Sequence, residues 1–443
     1  MSDLFYLTDE QRMIRDLARK VARERVAPHA AHYDETESYP EESIKALVEA
    51  GLYAIWVPEA YGGTDMGALA LALVCEELAW ACASTGTQYL DQPLGGLPIS
   101  TFGTEAQKKK YLPRLATGEL LAAYSLSEPG AGSDAAALKT TAVRRGDRYI
   151  LNGSKQWCTN GNHAAVVTVF ATVDPSRRAK GVTAFLVDKG TPGFEVGKKE
   201  RKLGIRASPT VALHFTDCAI PVEQRLGAEG EGFRIAMATL DITRPATGSL
   251  AVGIAQAALD AAVGYARERH QFGQPIAAFQ GIQFMLADMA MATHAARLMV
   301  HHAARQVDAG VHGNTLEASM AKCWAGDAAM KVATDAVQVF GGYGYTREFP
   351  VERVDEVSEE GVASQLPVGH DVEAGRLLQL HRLLHRAVLD PLEVSGTQPA
   401  GGEVVPGLHE IRRSQEAADD VGPDRHPSSS LAMITRWIWL VPS

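Results

Sequence analysis

Tyr124-Ser-Leu-Ser-Glu-Pro-Gly-Ala-Gly-Ser-Asp134 reads as the end of a short strand running into a glycine-rich turn, where hydroxyls and backbone N–H groups can meet a polar or anionic ligand. A purely structural turn is the plainer reading of a bare Gly-x-Gly. The dinucleotide fingerprint does not fit, because no third glycine follows at its spacing and no helix opens there. What the turn belongs to is decided by the chain on either side of it.

Upstream, residues 8–118 read as helical. Thr8 with Gln11 is a capping-box pattern that opens a helix running toward Arg25. Glu41 to Ala50 and Ala68 to Ala83 are further helical runs, separated by the turn Pro58-Glu-Ala-Tyr-Gly-Gly63, and Gln107 to Leu115 is a short one. Downstream the texture changes. Ala142-Val143 and Tyr149-Ile150-Leu151 flank Arg145-Gly146-Asp147, a hairpin signal. Ala164 to Val173 and Val182 to Val187 are β-rich apolar runs, and Val211 to Phe215 alternates. Helical texture returns at Gly232: Phe233 to His270, Phe279 to Ala309 and Thr315 to Phe340 are long, Ala-rich and periodic, and small residues let such helices pack closely as a bundle. Asn314 with Glu317 is a candidate cap for the third.

The bulk properties bound the function. The chain has 443 residues, 46% hydrophobic and 22% charged, enough for several domains with a sizeable core. Its net charge of -10 argues against nucleic acid and gives no general attraction to anionic membranes. The 5 cysteines (Cys75, Cys82, Cys158, Cys218 and Cys323) are scattered and form no CxxC pair, so a reducing compartment is expected and neither a disulfide framework nor a zinc ribbon. The first residues lack the basic and apolar regions of a secretory signal, and the apolar stretch Leu431 to Pro442 is too short to span a bilayer. A cytoplasmic location and no membrane span are the expectations. His301-His302 reads as a solvated helix face. His381 and His385 have i, i+4 spacing without the glutamate of the metalloprotease pattern, so no metal site is assigned.

A second change falls near Arg353. After Phe349 the chain has no Phe, Tyr, Lys, Asn or Cys, and it becomes rich in Arg, His, Asp, Glu, Gly, Val and Leu. Reading a GC-rich message out of frame gives such a bias; a disordered or newly acquired extension is the other reading. Leu377 to Leu389 keeps some helical periodicity.

Three more stretches join the first: Asn152-Gly-Ser-Lys-Gln-Trp-Cys-Thr-Asn-Gly161, Arg269-His-Gln-Phe-Gly-Gln-Pro-Ile276 with Gln280, and Gln338-Val-Phe-Gly-Gly-Tyr-Gly344. In this order, on an α–β–α layout, residues 5–353 resemble the acyl-CoA dehydrogenase family. The resemblance implies an α+β multidomain fold: a helical domain at 1–120, a β-barrel-like domain at 121–231, a four-helix bundle at 232–353, and a divergent tail at 354–443. It also implies FAD between the β domain and the bundle, an acyl-CoA substrate, a homotetramer, an electron-transfer flavoprotein as acceptor, and a place in fatty acid metabolism.

By the same resemblance, Tyr124, Leu126 and Ser127 meet the flavin ring on one side, and Trp157 and Thr159 on the other, with Thr159 near N5. Ser133 contacts the acyl-CoA side, its own segment also approaching FAD. Arg269 and Phe272 bind the pyrophosphate and adenine end of a neighbouring subunit's FAD, and Gln338, Gly341 and Gly342 form a cofactor-contacting turn in the same role. Asp241 and Arg244 lie near the CoA moiety, and Gln88-Tyr-Leu-Asp-Gln-Pro-Leu-Gly-Gly96 lines the deep end of the pocket. In their own chemistry, Arg269 can pair a pyrophosphate bidentately or be an exposed arginine at a helix end. Trp157 can cover an aromatic ring or fill a core, and Gly341 and Gly342 allow close backbone approach or cap a helix.

The family reaction removes an α-proton to a glutamate and a β-hydride to flavin N5. In most members the glutamate lies 14 residues after the valine matching Val351, which is Gln365 here; in a minority it precedes the arginine matching Arg244, which is Thr243 here. Neither position carries a carboxylate, and Glu360-Gly361 falls five residues early, so the catalytic base is unassigned. Three functions stand open: an FAD-dependent acyl-CoA dehydrogenase, a catalytically impaired FAD- and acyl-CoA-binding homologue, and a flavin oxidase or monooxygenase on the same fold. Acyl chain length and branching are not written in these motifs.

Overall fold

A computed structural model describes residues 7–355, residue 312 excepted. Expectations that fall on Gln365, Glu360, His381, His385, Leu377 to Leu389 and Leu431 to Pro442 lie outside the described residues.

Helix α1 (Asp9–Val21) opens as its sequence predicts: Gln11 N donates to Thr8 Oγ1 at 3.2 Å, and Thr8 N donates to Gln11 Oε1 at 3.1 Å. A π-helical segment, Ala22–Val26, carries it on toward the next turn. Helices α2 (Ala30–Thr36), α3 (Glu41–Glu49), α4 (Gly67–Ala81), α5 (Ala83–Phe102) and α6 (Glu105–Ala116) complete the N-terminal helical domain.

Helix α5 has no counterpart among the runs named from sequence. Pro93 and Pro98 inside it read as breaks, yet each removes only one N–H, and tertiary packing holds the helix through both. A single extended residue, Cys82, separates it from α4.

The middle domain is one eight-stranded sheet. Its strands are β1 (Ala122–Ser125), β2 (Thr141–Arg145), β3 (Arg148–Thr159), β4 (Val166–Thr172), β5 (Val182–Asp188), β6 (Phe194–Lys199), β7 (Thr210–Pro221) and β8 (Arg225–Leu226). They run in the order β6-β7-β3-β2-β4-β5-β8, with β1 parallel to β4. The β2–β3 hairpin turns at Gly146-Asp147, where Gly146 at φ 63° supplies the left-handed backbone that such a turn requires. Every residue of β4 is buried, because Val166 and Phe170 face the helical side while Val167, Val169 and Ala171 face the sheet's own core.

Three long helices follow: α7 (Gly232–Glu268), α8 (Gln280–Asp308) and α9 (Thr315–Phe340), with a two-residue ladder of β9 (His270–Gln271) and β10 (Gln274–Pro275) between the first two. A further helix begins at 350 and runs to the last described residue, 355. Alanine and glycine at the contacts let the helices approach closely: a Cβ on Gly248 would stand 2.8 Å from Val300 Cγ2 of α8. Helix α7 is long and apolar enough to cross a membrane by composition, but its apolar side chains pack into the cores shared with α4, α8 and α9.

Two local expectations need correction. Asn314 makes no side-chain cap to α9; instead Thr315 Oγ1 donates to Asp241 Oδ2 of α7 at 2.7 Å. His301 is not on a solvated face. Its Nε2 lies 3.7 Å from Glu76 Oε2 of α4, and Arg297 Nε binds the same carboxylate at 2.8 Å.

Candidate functional site

The site residues gather in two places. The first is the junction of β1, the turn after it, and the end of β3. Gln156 N donates to Ser127 O at 2.9 Å, and Cys158 Sγ lies 3.6 Å from Tyr124 O, so Tyr124, Leu126 and Ser127 run beside Trp157 and Thr159. Burial alternates along β3 until a register shift between Lys155 and Cys158 inserts an extra residue. That bulge puts Trp157 at φ 60° and leaves its ring 56% exposed while Cys158 stays buried. A left-handed tryptophan is strained backbone, and the exposed indole is a flat surface on which a planar ligand can lie.

A buried ion pair braces this junction. Lys155 Nζ donates to Glu128 Oε1 at 2.8 Å and to Leu126 O at 3.0 Å. The Glu128 carboxylate also accepts Lys139 N at 2.6 Å and Thr140 N at 2.9 Å, so both ends of the turn holding Ser133 are tied to one point. Burial pulls the Lys155 ammonium down to about 8, with Glu128 opposing. Burial also works against the charged form of Glu128, but Lys155 and the amide hydrogen bonds hold its carboxyl below the usual range. Ser133 itself is exposed, and Asp134 beside it pairs with Arg178 at 2.9 Å. Sequence reasoning missed Lys155 and Glu128. The available signal was a lysine at an inward-facing position of a strand.

Tyr124 packs its ring 5.0 Å from Phe170, and its Oη is buried without a hydrogen-bond partner. Burial drives its pKa up, opposed by the charge of Arg244, which brings α7 to the same place. Arg244 is ion-paired with Asp241 one turn earlier. Between them Thr243, 2% exposed, turns its hydroxyl back onto its own helix, donating to Thr239 O at 3.0 Å. No carboxylate stands at that position.

The second place is a cleft of about 800 Å³ at the end of α7 and α9, lined among others by Arg269, Phe272, Gly341, Gly342 and Tyr343. Arg269 follows the last turn of α7, and its guanidinium carbon lies 5.6 Å from the centre of the Tyr343 ring. Phe272 is 94% exposed at φ 53°, its edge toward Phe279 with ring centres 5.9 Å apart. Gly341, at φ 61°, ends α9 in a backbone form that favours glycine. Gln338 lies on the exposed side of α9 and does not line the cleft, although its carbonyl accepts Gly341 N. None of Tyr124, Leu126, Ser127, Ser133, Trp157 or Thr159 lines it either.

The chain matches the acyl-CoA dehydrogenase N-terminal domain over residues 8–119, the middle domain over 123–218 and the C-terminal domain over 230–356. It is 49% identical over 351 residues to a probable acyl-CoA dehydrogenase of Mycobacterium tuberculosis, covering 79% of this chain and 90% of that one. Among solved structures it is similar to butyryl-CoA dehydrogenase from Megasphaera elsdenii, with a TM-score of 0.81 and 42% identity over 86% of this chain and 99% of that one. It is also similar to PigA with FAD and proline, with a TM-score of 0.79 and 29% identity over 86% and 99%. The helical, sheet and helical domains and the matches to all three parts of one enzyme define an oxidoreductase. The chain belongs to the acyl-CoA dehydrogenase family.

Proposed function

We propose that the protein binds FAD and an acyl-CoA thioester and belongs to the α,β-dehydrogenating reaction of its family. The observation that carries this is the first cluster. An exposed tryptophan on a left-handed bulge stands beside Tyr124–Ser127, and a buried Lys155–Glu128 pair holds the two segments together. The residues present fit the cofactor: Trp157 and Thr159 would flank the flavin ring opposite Tyr124, Leu126 and Ser127. The cleft with Arg269, Phe272, Gly341 and Gly342 would receive the pyrophosphate and adenine end from a second copy, with the Gln338 carbonyl holding the Gly341 amide in place. Arg269 supplies a planar fork for paired phosphate oxygens and Phe272 an exposed ring face. Ser133 would meet the acyl-CoA from the turn, and Asp241 and Arg244 would face the CoA moiety from α7. This division of labour requires an oligomer, and a homotetramer with an electron-transfer flavoprotein as acceptor is the family pattern.

When bound, FAD accepts the β-hydride at N5. The α-proton needs a carboxylate beside it in a dry site, and position 243 offers only a hydroxyl already committed to Thr239. This favours a second reading alongside the first: a chain that binds cofactor and thioester but turns over slowly. A flavin oxidase or monooxygenase is separated from both by oxygen consumption in the absence of another acceptor. The test of the binding reading is direct. Purified protein incubated with FAD and desalted should carry flavin absorbance that butanoyl-CoA perturbs. Well-folded protein that retains no flavin contradicts it.

A further inference from the structure

We propose that Asp91, on α5, makes the deep end of the acyl pocket selective for an acyl chain with an uncharged hydrogen-bonding group, a hydroxyl or a carbonyl, far from the thioester. This rests on the acyl-CoA reading above and names the substrate class of that site.

The position comes from three contacts of α5. Gln92 Oε1 accepts Ala122 N of β1 at 2.9 Å. A Cβ on Gly95 would stand 2.7 Å from Ala123 N, and one on Gly86 would stand 2.8 Å from Leu250 Cδ2 of α7. Helix α5 is therefore wedged between the strand that carries Tyr124 and the helix that carries Arg244. Asp91 lies near Cys158, between Trp157 and Thr159, and near the hydroxyls of Tyr39 and Tyr53.

The chemistry comes from what is left unpaired. Asp91 is 3% exposed and its Oδ2 has no hydrogen-bond partner. Thr87 Oγ1, one helical turn before it, is sealed and unpaired, as is Gln88 Oε1, although Gln88 Nε2 donates to Ser208 Oγ at 2.8 Å. Tyr124 Oη on β1 is unpaired too. Buried polar atoms are nearly always paired in folded proteins, and those left unpaired on α5 and β1 are the ones a ligand group could bond. Burial pushes the Asp91 carboxyl well above the usual carboxylate range, and in its neutral form it can both donate and accept. A plain alkyl chain would leave these atoms desolvated and unsatisfied. A hydroxyl or carbonyl would pair with them, whereas a carboxylate would be buried against a second acid. Sites built to hydrogen-bond a substrate group reject analogues that lack it more strongly than apolar pockets reject a methylene.

The experiment uses the FAD-loaded full chain and reads binding, not turnover, from the perturbation of flavin absorbance. The probes are butanoyl- to octanoyl-CoA, their ω-hydroxy counterparts, and glutaryl-CoA. At the best-fitting length the ω-hydroxyacyl-CoA should bind about 10-fold tighter than its alkyl counterpart, the scale of one well-made hydrogen bond to a buried group. In Asp91→Leu the preference should vanish and the alkyl chain should bind tighter than in the parent. Asp91→Ala, which asks less of the packing, should lose the preference as well, and retained flavin reports that each variant is folded. Equal or tighter binding of the alkyl chain at every length overturns the role of Asp91. So does a preference that survives both substitutions, or glutaryl-CoA binding tighter than every hydroxyacyl probe. Failure of every acyl-CoA to perturb the flavin contradicts the acyl-CoA reading and the Asp91 role with it.

Discussion

Lys155 Nζ stands 2.8 Å from Glu128 Oε1, with both side chains buried, and the same ammonium reaches Leu126 O at 3.0 Å. One ion pair thus fixes the spacing between the strand that carries Trp157 and the turn that begins at Ser127. Removing one partner leaves the other charge buried and alone, which typically costs about 3–5 kcal/mol. Lys155→Met should therefore destabilise the protein on that scale and release FAD, and Lys155→Met with Glu128→Gln should recover part of both. Urea unfolding and retained flavin measure it; equal behaviour of single and double variants would contradict it.

Arg269 lies in the open cleft with its guanidinium above Tyr343. If it holds a pyrophosphate, Arg269→Ala should weaken FAD binding by about 2 kcal/mol, the usual scale for a hydrogen bond to a charged group. Arg269→Lys should restore little, because an ammonium cannot present the planar fork. FAD titration of apoprotein decides, and unchanged affinity in Arg269→Ala would make the residue an ordinary surface arginine.

Glu76 gives the fold a pH dependence. Burial raises its pKa, but His301 and Arg297 outweigh that and hold it below the usual range. A depressed carboxyl stabilises the fold above its unfolded value of about 4.3, and that stability is lost as pH falls through the folded value. Glu76→Gln should cost about 1–3 kcal/mol near neutral pH, where Arg297 loses its partner. The gap from the parent should close as pH drops below about 4.3. Denaturant melts across that range measure it; a gap that stays constant would rule out this linkage.

Where a local rule was enough, the fold was legible in the sequence. Thr8 and Gln11 cap α1, Gly146 turns the β2–β3 hairpin, and the Ala-rich periods of α7, α8 and α9 end within a few residues of where they were read. The failures are tertiary. Pro93 and Pro98 hid α5, because local breaker rules do not see the β1 and α7 surfaces that hold it. With α5 hidden, Asp91 had no face to be assigned to. Lys155 and Glu128 are 27 residues apart, and only the tertiary fold brings them together. His301 read as solvated because its partner, Glu76, lies on another helix. Trp157, Arg269 and Gly341 were named from motifs, but the left-handed bulge that exposes Trp157 has no signal in its neighbours, and the second copy that would join the two clusters has no signature in one chain.

The most direct test is anaerobic flavin reduction by a panel of acyl-CoAs, for the chain as it stands and for Thr243→Glu. A placed general base typically contributes ~10²–10⁴-fold. The expected result is saturable acyl-CoA binding with very slow reduction by the parent, and reduction at least about 10²-fold faster in Thr243→Glu. Fast reduction by the parent would contradict a missing base. If Glu360→Gln then abolished it, Glu360 would be the base; if it did not, the proton would go to a group not named here.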